Sequence, residues 1–279
     1  MAEMQVLISA YGPDALERIS KLEHAEYPGV EYIVGWQKYD TDRIPESVGT
    51  RKDFKIFPLE SIGLCNNRNS LLNMANAQWI VISDDDLIYK KFHIENLFKG
   101  FQENPGEHFL TFRYESEAFP KTYAAHSFNL QKPPKGYFVT SMELAFNLDL
   151  IRNDFKSMGD ILFHTAFGVN GTLFGSGEED ILIHRLLKRG YRGKFVPSDI
   201  CINTDSTTSE RIGATKDFIE TKGAVISYVK PSTMLLRMIT HAWKAQKAAG
   251  LQRIPFFRYC QWWMNGVKKA KRNMIFDKY

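Results

Sequence analysis

Short apolar runs alternate with segments of helical period along the first two hundred residues. Four apolar segments, each ended by a polar or turn-forming residue, predict strands at 5–10, 30–34, 54–57 and 78–83. Between them, residues 15–24 and 67–77 carry apolar side chains at helical spacing. Because strand, helix and strand follow in this order, the pattern predicts a parallel, doubly wound sheet flanked by helices.

The later part of the chain has a less regular pattern. Residues 108–155 alternate strand-like pieces with a loop that contains Pro133, Pro134 and Gly136, without a clean helical period. Acids at 178–180 and a base at Lys188 then predict a helix over 178–188, with both ends suited to the helix dipole. A strand at 193–196 and a polar loop at 203–209 follow.

These segments predict one α/β domain with a tail. The chain has 279 residues, 44% of them hydrophobic and 24% charged, which suits a folded globular protein. We expect the domain at 1–230, with a nucleotide-binding half at about 1–105 and an acceptor half at about 106–230. A helical, basic and aromatic extension is expected at 231–279.

The net charge of +4 is unevenly distributed. Residues 251–279 contain seven Lys or Arg and one acid, a charge of +6, which leaves −2 for the other 250 residues. A general nucleic-acid surface is therefore not expected. The first residues lack a signal-peptide pattern and no long apolar run follows, so the sequence predicts a cytoplasmic protein. The three cysteines are far apart and predict free thiols.

The most prominent chemical signal is Asp84-Asp85-Asp86, directly after a buried strand. Ligands of open α/β sheets bind at this edge. In extended backbone, residues i and i+2 project to the same side, so Asp84 and Asp86 would face one site. A hard divalent cation bound to phosphate oxygens would relieve their repulsion. The alternative is a solvated acidic turn.

Two further signals precede or open helices. Glu178, Glu179 and Asp180 begin a predicted helix, where an ionised carboxylate is favoured and can accept a proton from a hydroxyl. Simple capping of the helix is the alternative. Arg68 with Asn69 could contact a diphosphate or a base, or could be solvated surface residues.

Taken in order, these elements resemble family 2 glycosyltransferases of the GT-A fold, of the bacterial polysaccharide type. The resemblance covers about 200 residues and rests on Tyr11-Gly12, Gly63-Leu64, Arg68-Asn69, Asp84-Asp85-Asp86, Gly177-Glu178-Glu179, Arg185 and Gly190-Tyr191. It implies a single Rossmann-like GT-A domain with a mostly parallel mixed sheet and a C-terminal helical extension.

The resemblance also implies roles for individual residues. Glu179 is expected to act as the catalytic base, with Asp180 as the fallback. Asp86 and Asp84 are expected to bind a divalent cation, Mn²⁺ or Mg²⁺. The residues expected to bind the donor are Ala10, Tyr11, Gly12, Gln37, Arg68, Asp84 and Asp85.

Two departures from the family pattern leave details open. Where many relatives have an acidic residue that holds uracil, this chain has Gly35-Trp36-Gln37, so the base is open, with a UDP-sugar favoured. Many relatives also supply a metal-binding His after Val196-Pro197, where this chain has Asn203-Thr204-Asp205. Either Asp205 or Asn203 substitutes, or phosphates and water complete the cation's ligands.

The tail allows two interpretations. Its aromatic run at 254–264 is followed by bases at 268–272, a composition that suits the interface of an anionic bilayer and would place the protein peripherally on the inner membrane face. Alternatively, Trp262 and Trp263 pack on the catalytic domain.

The expected function is inverting, metal-dependent transfer of a sugar from a nucleotide diphosphate sugar to a hydroxyl of a glycan or lipid-linked glycan. One alternative is a sugar-nucleotide nucleotidyltransferase. That class needs a basic, glycine-rich loop after the first strand, and Tyr11-Gly12-Pro13-Asp14 is not such a loop. The other alternative is a catalytically inactive glycosyltransferase-like scaffold at the membrane surface.

Overall fold

A computed structural model describes residues 2–117, 120–157, 162–204, 215–247 and 254–273. Within these residues, nine strands form one mixed sheet with the order β3-β2-β1-β4-β8-β6-β9-β5, and β7 pairs with β9. The strands are β1 Met4–Tyr11, β2 Val30–Gln37, β3 Phe54–Leu59, β4 Trp79–Asp84, β5 Leu87–Ile88, β6 Phe109–Glu115, β7 Phe128–Asn129, β8 Leu144–Asn147 and β9 Gly193–Asn203.

The four strands expected from the first apolar runs are all present and parallel. β1 pairs with β2 on one side and with β4 on the other, and β3 pairs with β2. β1 is buried along almost its whole length, as expected of a central strand covered on both faces. The mixed α/β class is confirmed, and antiparallel pairing enters through β8 between β4 and β6.

Several of the described helices carry apolar residues that recur at helical spacing, which gives each of these helices one buried face. α4 illustrates the cause, because its apolar residues repeat at helical spacing and Trp79 of β4 stacks on Phe101 of this helix at 4.2 Å between ring centroids. The helices are α1 Ala15–Ser20, α2 Glu46–Gly49, α3 Leu64–Met74, α4 Lys91–Glu103, α5 Leu148–Ser157, α6 Glu178–Lys188, α7 Lys216–Val229, α8 Met234–Lys247 and α9 Phe256–Arg272.

α1 is shorter than the predicted 15–24. The chain leaves the helix after Ser20 and forms an isolated parallel bridge between His24 and Tyr89. The backbone N–H of Ala25 donates to the carbonyl of Tyr89 at 2.8 Å, and that of Tyr89 donates to Glu23 at 2.8 Å. A tertiary backbone partner thus replaces the last helical turn.

The chain divides into two compact units. The first contains residues 1–62, 66–163 and 185–205 and includes the whole sheet; the second contains residues 63–65, 164–184 and 206–279. The predicted boundary at 230 therefore does not coincide with this division, since the second unit also takes in residues 164–184. Helices α3 and α6 are each shared between the units.

The second unit has its own core, built largely from the C-terminal helices. A β-carbon on Gly223 would lie 2.2 Å from the carbonyl oxygen of Trp263, and one on Gly266 would lie 1.8 Å from that of Glu220. Only glycine permits this backbone approach of α7 and α9. Trp263 is completely buried in this core, whereas Trp262 is partly exposed. Among the described helices, none combines the length and apolar character needed to cross a bilayer.

Candidate functional site

The candidate site lies in the first unit, where the strand order reverses. The chain runs from β1 outward to β2 and β3, then returns to the other side of β1 as β4. Such a switch point opens a crevice at the carboxyl ends of the two central strands. Ser9 of β1 is in register with Asp84 of β4, so Tyr11-Gly12 and Asp85-Asp86 leave the sheet at this same edge.

Asp84 is held from within the fold by Arg68. The Arg68 Nη2 atom donates to Asp84 Oδ1 at 2.9 Å and to Ser141 Oγ at 2.8 Å. The guanidinium also lies over the ring of Phe163, 5.3 Å from its centroid. Because the Arg68 side chain is fully buried, this geometry argues against the predicted direct contact with the donor. Arg68 instead orients the carboxylate of Asp84.

A second buried charge supports Ser141. Glu143, two residues later, accepts hydrogen bonds from Lys121 Nζ at 2.6 Å, from the Tyr123 hydroxyl and from the Thr140 N–H at 2.8 Å. Burial raises the pKa of Glu143 and lowers that of Lys121, and their mutual attraction opposes both shifts. The short helical turn that carries Ser141 is therefore fixed at both its start and its end.

Asp85 points in a different direction from Asp84. Its carboxylate accepts from the exposed Arg18, whose Nη2 also donates to the carbonyl of Tyr11 at 2.9 Å, and from the Tyr11 N–H at 3.5 Å. Burial, together with the neighbouring Asp84, raises the pKa of Asp85, and Arg18 and the Tyr11 N–H oppose the rise. These contacts tie the end of β4 to the end of β1 at the site edge.

The expected extended geometry of Asp84 and Asp86 is wrong. Asp85 and Asp86 form a turn between β4 and β5, so the alternation of a strand does not apply to them. The carbonyl of Asp86 accepts hydrogen bonds from the Thr204 N–H at 3.3 Å and its hydroxyl at 2.8 Å. The turn is therefore braced by the end of β9 rather than aligned by a strand.

The other predicted donor residues differ in exposure. Tyr11 is exposed and Gly12 partly so, and the carbonyl of Gly12 accepts from the Trp36 indole at 2.7 Å. Ala10 faces the core, so its side chain is not part of an open surface. Gln37 is buried at the end of β2 and donates to Ser61 Oγ at 3.2 Å. Of these residues, Tyr11 and Gly12 are the ones that a ligand at the edge would meet.

Asn67, a residue that the sequence reasoning did not select, links the site strands to α3. Its Nδ2 donates to the carbonyl of Gly35 at 2.7 Å and more weakly to that of Ala10 at 3.4 Å. A β-carbon on Gly35 would lie 2.3 Å from Asn67 Oδ1. The glycine in β2 thus lets α3 approach the sheet and bring Arg68 to Asp84.

The chemistry of the carboxylates fits a hard divalent cation that is bound together with a diphosphate. Asp84 and Asp86 offer oxygens of the kind that Mg²⁺ and Mn²⁺ prefer, and phosphates and water commonly supply the remaining ligands. Among the described residues, no group of three or more His, Cys, Asp and Glu is arranged to hold a metal ion. Asp205, the predicted third ligand, lies outside the described residues, and Asn203 pairs with Leu87 beside the turn.

The predicted catalytic acids lie in the second unit, in the first turn of α6. Glu178 is buried, Glu179 is partly exposed and Asp180 is exposed. Desolvation and the neighbouring Glu179 raise the pKa of Asp180 to about 6, while Lys230 and Lys222 oppose the rise. Contact with water limits this shift. Ile181 anchors the same turn in the unit's core beside Ala224.

Several residues that hold the site in place could not be recognised from the sequence pattern, or only weakly. Ser141, Glu143 and Lys121 belong to the irregular segment 108–155, where the pattern gave no register. Asn67 stood next to the selected Arg68, and a polar residue at a helix position facing the sheet was the available signal. Arg18 looked like an ordinary charge on a short helix.

Comparisons with known proteins agree with the fold. A family model described as glycosyl transferase family 2 matches residues 11–167, which is more than half of the chain. No curated protein matches the sequence.

Crystal structures of S. aureus TarS are similar in fold. TarS 1-349 in complex with UDP-GlcNAc gives a TM-score of 0.58 at 14% identity, covering 98% of this chain and 73% of that one. The complex of TarS 1-349 with UDP gives 0.54 at 13%, covering 98% and 92%. A further TarS structure gives 0.57 at 13%, covering 99% of this chain and 54% of the other.

Proposed function

Because this chain belongs to glycosyl transferase family 2, we propose that it transfers a sugar from a nucleoside diphosphate sugar to a hydroxyl of a glycan or lipid-linked glycan, with inversion. The family assignment makes the chain a glycosyltransferase. It also decides against the nucleotidyltransferase alternative, which belongs to another reaction class.

The observation that carries the proposal is the anchored Asp84 at the switch point of the sheet. Arg68 and Ser141 fix this carboxylate from behind, and Tyr11-Gly12 leave β1 beside it. A rigid carboxylate at such an edge can orient a ribose, a sugar hydroxyl or a cation without reorganising when the ligand arrives. A solvated acidic turn would not need a buried arginine.

The proposed reaction assigns one role to each group. Glu179 accepts the proton of the acceptor hydroxyl as that oxygen attacks the anomeric carbon from the face opposite the diphosphate. The bond from this carbon to the diphosphate oxygen breaks, and the nucleoside diphosphate leaves. Asp84 and Asp86 would hold a divalent cation, which supplies positive charge for the leaving group. Asp180 is the second candidate for the base.

We propose a uridine nucleotide as the first donor to test. The similar TarS structures are described as complexes with UDP-GlcNAc and UDP. Gln37 stands where many family members have an acidic residue, and its amide is buried against Ser61. A panel that includes other bases is therefore part of the experiment.

Turnover of a donor panel tests the proposal. Release of nucleoside diphosphate is measured with Mn²⁺ or Mg²⁺, with and without EDTA, and the anomeric configuration of the product is read by NMR. We expect turnover with one donor, its loss with EDTA and an inverted anomer. Glu179→Gln should reduce kcat by at least about 10²-fold, as expected for loss of a general base.

Glu95→Gln is the matched control, since Glu95 is an exposed glutamate of α4 paired with Lys91. It should retain the activity of the original chain. Donor binding without turnover under all conditions would favour the inactive scaffold instead. Full activity of Glu179→Gln and Asp180→Asn would contradict the assigned base.

A further inference from the structure

The outward face of α8 carries an apolar stripe. Leu235, Leu236, Ile239 and Trp243 are 57%, 64%, 48% and 55% exposed. Their spacing of three and four residues places them on one side of the helix. Single exposed apolar residues are ordinary on a protein surface, whereas a row of four large ones on one helix marks an interaction surface.

The inward face of the same helix is already packed. Ala242 is buried, and Met234, Met238 and Ala245 pack against the core cluster that contains Tyr259 and Trp263. The fold of the second unit therefore uses one apolar face of α8. The outward stripe is additional to what this packing requires.

The charges on α8 and in the chain that follows it are positive, while Asp180 acts on Lys222 of the neighbouring helix. Residues 221–273 contain eleven Lys or Arg and no Asp or Glu. Burial and the charges of Lys222, Lys244 and Arg237 together lower the pKa of His241, on this helix, to about 4. The stripe thus lies on a helix that carries Arg237 and Lys244 and no acid.

We infer that α8 is the surface by which this protein docks on an anionic lipid bilayer, with Leu235, Leu236 and Ile239 entering the interface. An apolar stripe beside bases is the composition of helices that lie in the plane of a membrane. The basic residues would bind anionic headgroups, which attract Lys and Arg close to the membrane surface. Trp243 suits the same boundary, because indole rings prefer the headgroup level.

A second copy of the chain fits this surface less well. In a symmetric dimer the same patch meets itself, so the bases of one α8 would face the bases of the other. With no acid in α8 itself to compensate Arg237 and Lys244, these charges would repel. An anionic surface removes this repulsion, which is why we select the bilayer.

The inference places the membrane contact on α8 and not on the aromatic run at 254–264, for which the sequence left two interpretations open. The tail aromatics Tyr259 and Trp263 are buried in the second unit and cannot enter a bilayer without unfolding it. α8 presents its apolar stripe without any such change. This docking does not depend on the sugar donor or on the reaction.

Sedimentation with vesicles tests the inference on the full chain. The bound fraction is measured with phosphatidylcholine vesicles and with equimolar phosphatidylcholine and phosphatidylglycerol, at low and high salt. We expect binding to the anionic vesicles that weakens with salt. Leu236→Glu with Ile239→Glu should lower the partition coefficient at least about tenfold, since each change removes apolar area and adds a repelled charge.

Leu150→Glu is the matched control, because Leu150 is a 42% exposed leucine of α5 in the first unit. It should bind vesicles like the original chain. Since the substituted residues of α8 are exposed, the double variant should keep its thermal unfolding midpoint, which shows that lost binding is not lost folding. Arg237→Gln with Lys244→Gln should remove the preference for anionic vesicles.

Two results would overturn the inference. One is the absence of binding to anionic vesicles at low salt, or equal binding by the Leu236→Glu, Ile239→Glu variant. The other is a dimer in analytical ultracentrifugation that this variant converts to monomer, which would assign the stripe to a second copy of the chain.

Discussion

Two neighbouring aspartates at the end of β4 each pair with an arginine, yet the two pairs lie in different surroundings. The side chains of Arg68 and Asp84 are 1% and 27% exposed, whereas those of Arg18 and Asp85 are 48% and 19% exposed. A buried charge that loses its partner cannot turn to water, but an exposed one can. The first pair therefore fixes the Asp84 carboxylate from inside the fold. The second pair lies at the exposed edge of the site.

Removal of the buried guanidinium should have the largest effect. Arg68→Ala removes a fully buried side chain, opens a cavity beside Phe163 and takes away the hydrogen bonds to Asp84 and Ser141, so we expect a loss of about 2–5 kcal/mol in the free energy of unfolding. Urea unfolding measures this loss. Arg18→Ala is the control and should lose no more than about 1 kcal/mol. Equal losses in both variants would remove the distinction between the pairs.

A change in β2 tests how the buried pair is positioned. Gly35→Ala places a β-carbon 2.3 Å from Asn67 Oδ1 and should push α3, which carries Arg68, from the sheet. Overpacking of this kind typically costs about 1–3 kcal/mol, again measured by urea unfolding. Gly175→Ala is the control, because nothing lies within 4 Å of its added carbon. An unchanged Gly35→Ala variant would show that α3 adapts freely.

Ser141→Ala examines the second acceptor of Arg68. The variant loses the hydrogen bond from Arg68 Nη2 at 2.8 Å but retains the ion pair with Asp84. We expect a loss of about 0.5–1.5 kcal/mol in stability, the usual contribution of one hydrogen bond. A loss as large as that of Arg68→Ala would mean that the serine, and not the carboxylate, is the main partner.

The smallest effect is expected at the exposed pair. Because burial raises the pKa of Asp85 despite Arg18, its folded pKa lies above the unfolded value of 3.8. The folded chain therefore binds this proton more tightly, and the contribution of Asp85 to stability falls as pH rises from 3.8 to the folded pKa. Asp85→Asn should abolish that fall and change stability at pH 7 by no more than about 1 kcal/mol. Urea unfolding at several pH values measures both effects. A change larger than about 1 kcal/mol at pH 7, or an unchanged pH dependence, would contradict this prediction.

The sequence was informative where local pattern decides structure. The apolar runs identified β1, β2, β3 and β4, and the selected aspartates lie at the end of β4 and in the turn after it. Continuous apolar segments between turn signals have few other structural solutions, so the sheet and its open edge followed from them.

The sequence was less informative where distant segments meet. Arg68 reads as a surface residue until β4 and residue 141 are placed beside it. The end of α1 depends on Tyr89, which supplies a backbone partner far along the chain. The extended alignment of Asp84 and Asp86 failed because Thr204 braces a turn there. Each of these features is set by a long-range contact that no local periodicity encodes.

The central claim is that the edge formed by β1 and β4 binds the nucleotide of the donor. Isothermal titration calorimetry of UDP, GDP, ADP and dTDP with Mn²⁺ tests it on the original chain and on Asp86→Ala, with Glu95→Gln as the control. We predict that one nucleotide binds the original chain and the control equally, and binds Asp86→Ala at least about tenfold more weakly, a difference of about 1.4 kcal/mol. Equal affinity for Asp86→Ala, or binding of none of the four nucleotides, would contradict the account.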